Sequence, residues 1–202
     1  GSRELLERLE QGNMFIIPLD QSRTWYRYHH LFLDLLRHQQ GIAGLPVDGV
    51  ILHQRACQWF EAQGYLNEAI QHSLAAKDWV KAVQLINQVN DRMFKQGEIV
   101  TMIGWLEKLP KEFILSQPDM CLIYAWALLL AGKYNIVEPV LVQAEKLAQP
   151  GSVFLGQVAT AQAYLARSVG DNPRVIETSR LALSLLPETE IANRSNLLMN
   201  LG

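Results

Sequence analysis

The sequence is poor in the features that mark secreted and membrane proteins. Its 202 residues contain only two cysteines, Cys57 and Cys121, and both fall within apolar helical patterns. We interpret them as buried thiols in a reducing compartment, not as a disulfide or a pair of metal ligands. No apolar run reaches the roughly 18 residues that a membrane span requires. The charged stretch Arg3–Glu7 is unlike a signal peptide, so the expected location is the cytoplasm, with no membrane partner.

Excess charge and catalytic motifs are missing as well. With 18 basic and 20 acidic residues the net charge is −2, which argues against a generic electrostatic surface for nucleic acid. The sequence contains no G-x-x-x-x-G-K-[ST] phosphate loop, no C-x-x-C, no H-E-x-x-H and no G-x-S-x-G. We therefore expect no catalytic residues, no metal and no bound cofactor in this chain itself, and an enzyme is not the favoured class.

The isolated histidines and carboxylates do not form a candidate catalytic or metal-binding site. His53 and His72 lie in helical patterns without partners at ligand spacing, so we interpret them as surface or capping histidines. Scattered carboxylates fall on the predicted polar faces of helices and are interpreted as solvated helix surface: Glu61, Glu68, Glu107, Glu138 and Glu145.

Composition and the two ends indicate a compact piece of a longer protein. Apolar residues make up 49% of the chain and charged residues 19%, which is enough for one large domain or two small ones. Gly1-Ser2 is typical of a scar left by tag cleavage, and Leu201-Gly202 interrupts a helical pattern. We expect an internal fragment.

Only the first part of the chain predicts strands. Phe15–Leu19 and Thr24–Tyr28 are short β-type runs, and the polar turn Asp20–Arg23 between them indicates a hairpin. Pro18 places the first strand at an edge. A helix over Arg3–Gln11 precedes the hairpin. Helix, hairpin and helix in this order are typical of the second half of a winged helix.

Two histidines stand where the second strand should end and a helix begin. After His29 and His30, apolar residues recur at helical spacing as Leu31, Leu35 and Leu36. Backbone N–H groups are unpaired at the start of a helix, and an anion is locally favoured there. From chemistry alone the plainer interpretation is that the two histidines cap the helix and pack at the junction.

The rest of the chain predicts helices in repeated pairs. Gly41–Gly49 is a predicted linker. Beyond it, small residues, a turn glycine and a closing proline recur as in tetratricopeptide repeats, which have a period of about 34 residues. The pattern fits two stretches, through Ala125, Gly132, Ala144 and Pro150, and through Ala163, Gly170, Ala182 and Pro187. An ordinary helical bundle is the alternative.

The predicted fold class is mainly α: a winged-helix remnant with one β-hairpin, followed by an α-solenoid of tetratricopeptide-like helix pairs. We expect the C-terminal part of a winged-helix domain over residues 1–44 and a helical arm over residues 45–116. The start of a tetratricopeptide-like sensor domain is expected over residues 117–202.

An ordered series of segments resembles one protein family. Tyr28–Leu36, read as Tyr-His-His-Leu-Phe-Leu-Asp-Leu-Leu, is similar to large MalT-like, LuxR-type transcription regulators, which are signalling ATPases of the STAND class. Leu52–Phe60 and Gly64–Ile70 resemble the first arm helices of that family. Trp105–Pro110 and Tyr124–Gly132 resemble the entry into its repeat sensor.

The resemblance implies a role for His29. STAND proteins carry a Met-His-Asp-type motif at this junction, and the aligned residues here are Tyr28, His29 and His30, so only the histidine is retained. By resemblance, His29 contacts the β-phosphate of ADP held by an upstream nucleotide-binding domain of the same chain, and this contact favours the resting form. ATP and ADP are thus cofactors of the parent protein.

The resemblance also implies partners and a switch. A small-molecule or protein inducer on the sensor, together with ATP, would favour an open form that self-associates, and DNA would be bound only through a C-terminal domain outside this chain. Two other classes remain open: a tetratricopeptide-like protein-interaction scaffold, and a STAND ATPase with a non-transcriptional output such as a protein kinase.

Overall fold

The computed structural model describes residues 2–32, 34, 35, 38 and 49–201. The chain divides into two compact units, residues 1–48 and residues 49–202. Most of the linker predicted at Gly41–Gly49 lies outside the described residues, as do Leu33 and Leu36 of the predicted helix after His30.

The first unit is built from one helix and one hairpin. Helix α1 spans Ser2–Gln11, strand β1 spans Ile16–Pro18, and strand β2 spans Tyr26–Tyr28. The two strands are antiparallel, with Ile16 opposite Tyr28 and Pro18 opposite Tyr26. Both strands are shorter than the predicted runs, and Phe15, just before β1, has left-handed backbone geometry with φ 57°. The chain is helical again from residue 30.

The second unit is helical throughout its described residues. Its helices are α2 Gly49–Ala62, α3 Leu66–Ala75, α4 Trp79–Gln96, α5 Ile99–Leu106, α6 Lys111–Leu115, α7 Pro118–Leu130, α8 Tyr134–Leu147, α9 Val153–Val169, α10 Asn172–Leu185 and α11 Ile191–Met199. The prediction of a mainly α fold with a single hairpin is therefore confirmed for the described part of the chain. None of the described helices is long and apolar enough to cross a bilayer.

Local sequence fixes where several of these helices begin and end. The side chains of Asp78, Ser152 and Asp171 each accept a hydrogen bond from the N–H three residues on, which satisfies one of the free donors at a helix start. Gly97 and Gly170 end α4 and α9 with φ of 72° and 79°, a conformation that glycine adopts without strain.

Helix α7 is buried on two sides. Ile123 and Ala127 belong to the apolar core formed with α2 to α6, whereas Ala125 and Leu128 belong to a second core formed with α8 and α9. A helix that is apolar all round is stable only where both faces are covered. The uniformly apolar sequence of α7 is explained by this position between two cores.

The helices from α7 onward stack as a repeat. Each helix packs on the next in the chain, and α9 also packs beside both α7 and α11. Ala125, Ala144 and Ala163 are fully buried, as the repeat pattern predicts. A close approach lies at Gly156 on α9, where an added Cβ would stand 3.0 Å from the Cβ of Leu185 on α10.

Four of the five carboxylates interpreted as solvated helix surface are exposed or half-exposed and also bind other side chains. Each of these four binds a side chain at least 17 residues away in the sequence, a partner that local periodicity does not reveal. The shortest oxygen to nitrogen distances are Glu61–Lys81 2.7 Å, Glu107–Lys133 3.4 Å, Glu138–Arg174 2.6 Å and Glu145–Gln162 2.9 Å.

Candidate functional site

His29 occupies the junction between strand and helix that the sequence predicts. Its N–H donates to the carbonyl of Phe15 over 2.6 Å, which adds one rung beyond β2 to the hairpin. Its carbonyl accepts from the N–H of Phe32 over 3.0 Å, which closes the first turn of the helix that follows. The backbone of His29 is therefore tied on both sides, and the direction of its side chain is set by the fold.

The imidazole of His29 is half-buried, whereas that of His30 is exposed. The two rings stack with centroids 4.4 Å apart and planes inclined by 29°. Within the described residues neither ring makes a hydrogen bond, so the backbone of His29, and not its side chain, caps the helix. Ring nitrogens therefore remain available to an external acceptor or donor.

An apolar depression adjoins the His29 ring. It has a volume of about 410 Å³ and is lined by His29, Phe15, Leu31, Phe32 and Leu35. Phe15 stacks on Phe32 with centroids 5.1 Å apart, yet Phe15 is 59% exposed and Leu31 is 67% exposed. Exposed apolar clusters of this kind mark surfaces that contact another body. An imidazole at such an edge can approach a partly desolvated anion.

Phe15 contributes backbone strain next to this depression. A bulky residue rarely adopts a positive φ, and its value of 57° is held by the surrounding contacts. These are the ring stack on Phe32 and the hydrogen bond from His29. Strain of this kind persists where neighbours over-determine the geometry.

The hairpin that carries His29 is anchored within its turn and against α1. At the tip, the carboxylate of Asp20 accepts from the Ser22 hydroxyl and, over 2.9 Å, from the N–H groups of Thr24 and Trp25. The bond from Ser22 is the largest of the effects that lower the pKa of Asp20.

Close to the same turn, Glu10 of α1 accepts from the Tyr26 hydroxyl and pairs with Arg23, both over 3.3 Å. Burial and the charge of Glu10 raise the pKa of Tyr26. These contacts join α1 to the hairpin and so fix the platform on which His29 stands.

A second pair of histidines was missed by sequence reasoning. Nδ1 of His53 on α2 lies 2.8 Å from Nδ1 of His72 on α3, and the His72 ring stacks on Phe60 with centroids 5.3 Å apart. The interpretation of His53 and His72 as residues without a partner missed this contact, although both side chains are only half-buried. Burial, followed by the charge of His53, lowers the pKa of His72.

Nothing in the described part of the chain assembles a metal centre. No three of its histidine, cysteine, aspartate and glutamate side chains are grouped to hold an ion. Cys57 and Cys121 are free and buried, and burial raises the pKa of Cys121 to about 11. A thiol held in this state is a poor nucleophile and a poor metal ligand.

Comparison with known proteins places this geometry in context. Residues 1–43 match the family model described as the MalT winged helix domain. The chain is 30% identical over 195 residues to an HTH-type transcriptional regulator MalT of Vibrio parahaemolyticus, covering 94% of this chain. It is 30% identical over 190 residues to a regulator of the same name from Klebsiella pneumoniae, covering 93% of this chain.

Another relative is a protein kinase instead of a transcriptional regulator. The chain is 33% identical over 152 residues, 72% of its length, to the serine/threonine-protein kinase PknK of Mycobacterium tuberculosis. The chain spans only 22% and 21% of the two regulators and 14% of the kinase. No solved structure matches the chain.

Proposed function

Because the chain belongs with the MalT-like proteins along nearly its whole length, we propose that it is the regulatory middle of an ATP-dependent, inducer-responsive transcription activator. The alignment over 94% of the chain, with a MalT winged helix domain at residues 1–43, is the observation that carries this proposal. The protein would act in the bacterial cytoplasm. The winged-helix part ends at residue 44, the arm spans residues 45–116, and the sensor begins at residue 117.

His29 is the proposed sensor of nucleotide in this arrangement. Its half-buried ring has no hydrogen bond within the described residues, it stands on an anchored hairpin, and an apolar depression surrounds it. A β-phosphate of ADP on the upstream domain would accept a charge-assisted hydrogen bond from this ring. His30 replaces the acidic residue of the related motif, and its exposed ring stacks on that of His29.

The proposed switch has two states that ligands distinguish. ADP at His29 favours a closed form, while ATP and an inducer on the sensor favour an open form that self-associates and binds DNA through a domain outside this chain. Each ligand shifts the equilibrium only by the difference in its affinity for the two forms. The chain itself contributes contacts and surfaces, and no catalytic group.

Basal activity of the whole protein tests the role of His29. A charge-assisted hydrogen bond contributes about 1.5–3 kcal/mol, and each 1.4 kcal/mol or so is tenfold. His29→Ala should therefore raise inducer-free reporter activity by about ten- to hundredfold. His30→Ala removes only the exposed ring that stacks on His29 and should raise it less than His29→Ala does. Unchanged basal activity in His29→Ala at normal protein level would return His29 to a purely structural role.

Titration calorimetry of the isolated chain gives a companion test. A single imidazole is a small part of a nucleotide site, and the sequence has no phosphate loop. Neither ATP nor ADP should bind with micromolar affinity. Tight binding to this chain would show that a nucleotide site lies within it and that His29 does not depend on an upstream domain.

A second candidate function is favoured by the kinase relative. PknK aligns with 72% of the chain, so the same winged helix and arm could regulate a protein kinase instead of a DNA-binding domain. Reporter activation by the whole protein supports the first function, and phosphate transfer to a serine or threonine substrate supports the second. A plain interaction scaffold would leave the hairpin and His29 without a role.

A further inference from the structure

Arg27 lies beside the proposed nucleotide sensor and has no role so far. It stands on β2, two residues before His29, and its side chain is exposed. Within the described residues it makes no hydrogen bond and no ion pair. A guanidinium presents several N–H donors in a planar fork, which matches the oxygens of a phosphate or a carboxylate. The donors of Arg27 are therefore open to an external anion.

The register of the hairpin places Arg27 and His29 on the same face. Arg27 is paired with Ile17 in the antiparallel ladder, and His29 continues that ladder through its 2.6 Å bond to the carbonyl of Phe15. Side chains alternate between the two faces of a strand, so residues two apart share a face. At about 3.4 Å per residue, the Cα atoms of Arg27 and His29 are about 7 Å apart. The long stem of Arg27 lets its guanidinium converge with the imidazole on one ligand.

The other face of β2 is used for contacts inside the first unit. The hydroxyl of Tyr26 donates to Glu10 of α1 over 3.3 Å, and the ring of Tyr28 lies 5.8 Å from the ring of Phe32. Tyr26 is accordingly half-buried, whereas Arg27 is exposed. The packing of the hairpin thus engages the tyrosines of β2 and leaves Arg27 on the side of His29.

Two carboxylates that contact the hairpin are bound to other groups. Asp20 accepts hydrogen bonds from backbone N–H groups within the turn, and Glu10 pairs with Arg23 over 3.3 Å. Neither of them pairs with Arg27. A guanidinium and an imidazole N–H on one face form a donor set that fits a diphosphate, since charge-assisted bonds to phosphoryl oxygens are among the strong hydrogen bonds of proteins.

We propose that Arg27 is a second phosphate-binding residue of the nucleotide sensor, so that Arg27 and His29 together bind the diphosphate of ADP in the resting form. This inference rests on the proposed function of His29 and extends it. The guanidinium donates to oxygens of the diphosphate, and the His29 ring donates to a further one. Because the contact belongs to the ADP-bound resting form, Arg27 favours that form and contributes nothing to the ATP-bound form.

Nucleotide affinities of the whole protein test this role. A fluorescent ADP and a non-hydrolysable ATP analogue are each titrated by fluorescence anisotropy. Arg27→Ala should weaken ADP binding by about tenfold, the effect of losing one hydrogen bond to a charged group, and should leave the affinity for the ATP analogue within about twofold. Arg27→Lys keeps the charge but loses the fork, so its ADP affinity should lie between those of the parent and Arg27→Ala.

Arg8 on α1 provides the matched control. It is an exposed arginine of the same unit, so Arg8→Ala makes the same change in charge and should alter ADP affinity by less than about twofold. Because Arg27 has no contact to lose within the described residues, Arg27→Ala should melt at the temperature of the parent when nucleotide is absent. Arg27→Gln, which keeps a long polar side chain, is a second neutral variant.

His29→Ala in the same titrations separates the role of Arg27 from the proposed function. If His29→Ala weakens ADP binding and Arg27→Ala does not, the role of Arg27 is overturned while the sensor stands. If neither variant changes ADP affinity, the proposed function is overturned as well. Equal weakening of ADP and of the ATP analogue by Arg27→Ala would also overturn the role, because the contact would not belong to the resting form. Raised basal activity with unchanged ADP affinity would assign Arg27 to a carboxylate of the upstream domain instead of a phosphate.

Discussion

Glu138 on α8 reaches across the repeat to Arg174 on α10, with 2.6 Å between Oε1 and Nη2. The hydrogen bond that Arg174 donates to Glu138 is the first of the causes that raise the pKa of Arg174. The two side chains are 43% and 32% exposed, so water and salt screen much of their attraction. This contact shows why periodicity could place Glu138 on a polar face but could not predict its partner 36 residues away.

Substitutions at Glu138 and Ala125 should rank in a fixed order. Glu138→Ala should lower the free energy of unfolding by about 0.2–1 kcal/mol, and less at high salt, as for exposed ion pairs. Ala125 is completely buried, so Ala125→Leu should overpack the crossing and cost about 1–3 kcal/mol. Glu188→Ala, at an exposed position, is the control and should be near neutral. Urea unfolding measures all three. A larger loss in Glu138→Ala than in Ala125→Leu would contradict the placement of Ala125 at a close helix crossing.

His72 should make stability depend on pH below neutrality. Its folded-state pKa lies below the ordinary value of about 6.5, because burial and then the charge of His53 disfavour the protonated ring. The unfolded chain therefore binds the proton more readily, and the free energy of unfolding falls as pH drops below about 6.5. The loss is complete below the folded-state pKa. Phe60, stacked on the ring, keeps it partly desolvated.

Replacing His72 by glutamine should flatten that dependence. His72→Gln keeps a polar side chain of similar length but cannot titrate, so the difference in stability between pH 8 and pH 5 should shrink. His53→Gln should shrink it less, because burial is the larger cause of the shift. Thermal unfolding across this range decides the matter. If His72→Gln loses as much stability between pH 8 and pH 5 as the parent protein does, other groups cause the acid destabilisation.

At the scale of elements, close helix packing is concentrated where α9 meets α10. The repeat pattern of small residues predicted Ala125, Ala144 and Ala163 as buried contacts, and all three are. It did not single out Gly156, although an added Cβ there would meet Leu185 Cβ at 3.0 Å and Leu186 at 3.2 Å. Gly156 does not occupy the repeat position of the turn glycines Gly132 and Gly170, so the predicted repeat motif did not include it.

Alanine substitutions at two helical glycines should change the free energy of unfolding in opposite directions. Gly104 on α5 has open space around an added Cβ, so Gly104→Ala should stabilise by about 0.5–1 kcal/mol through helix propensity. Gly156→Ala gains the same propensity but forces α9 from α10, which costs about 1–3 kcal/mol, so a net loss near 1 kcal/mol is expected. Thermal denaturation of the two variants measures the signs. If both variants are stabilised equally, Leu185 and Leu186 can move to accommodate the added methyl group without a loss of stability.

For the whole molecule, the sequence predicted element types well and long-range partners poorly. The hairpin followed from the aromatic run before His29 and from the edge residue Pro18, and Pro118 correctly opened α7. Strand and helix periods are local, so they survive in a single sequence. The contact between His53 and His72 depends on how α2 packs on α3. A groove lined by Trp126, Tyr164 and Asn196 likewise depends on how α7, α9 and α11 pack together. Neither has a local signal.

Burial differs sharply between the two units, and hydrogen exchange should reveal it. Among the described residues of the first unit only Ile16 is a buried apolar residue, whereas the second unit contains continuous cores. A domain of this size that buries so little apolar surface is only marginally stable.

The amides of Leu19 and His29, which donate to the carbonyls of Trp25 and Phe15 across the hairpin, should therefore exchange at least about a hundredfold faster than that of Leu128, a difference of about 2.8 kcal/mol in opening free energy. Ala125→Leu supplies the internal control, because it should accelerate exchange at Leu128 and leave the hairpin amides unchanged. If the hairpin amides and the Leu128 amide of the unsubstituted protein are equally protected, apolar burial within the first unit does not set its stability. His29 would then stand on a platform far more rigid than its own contacts provide.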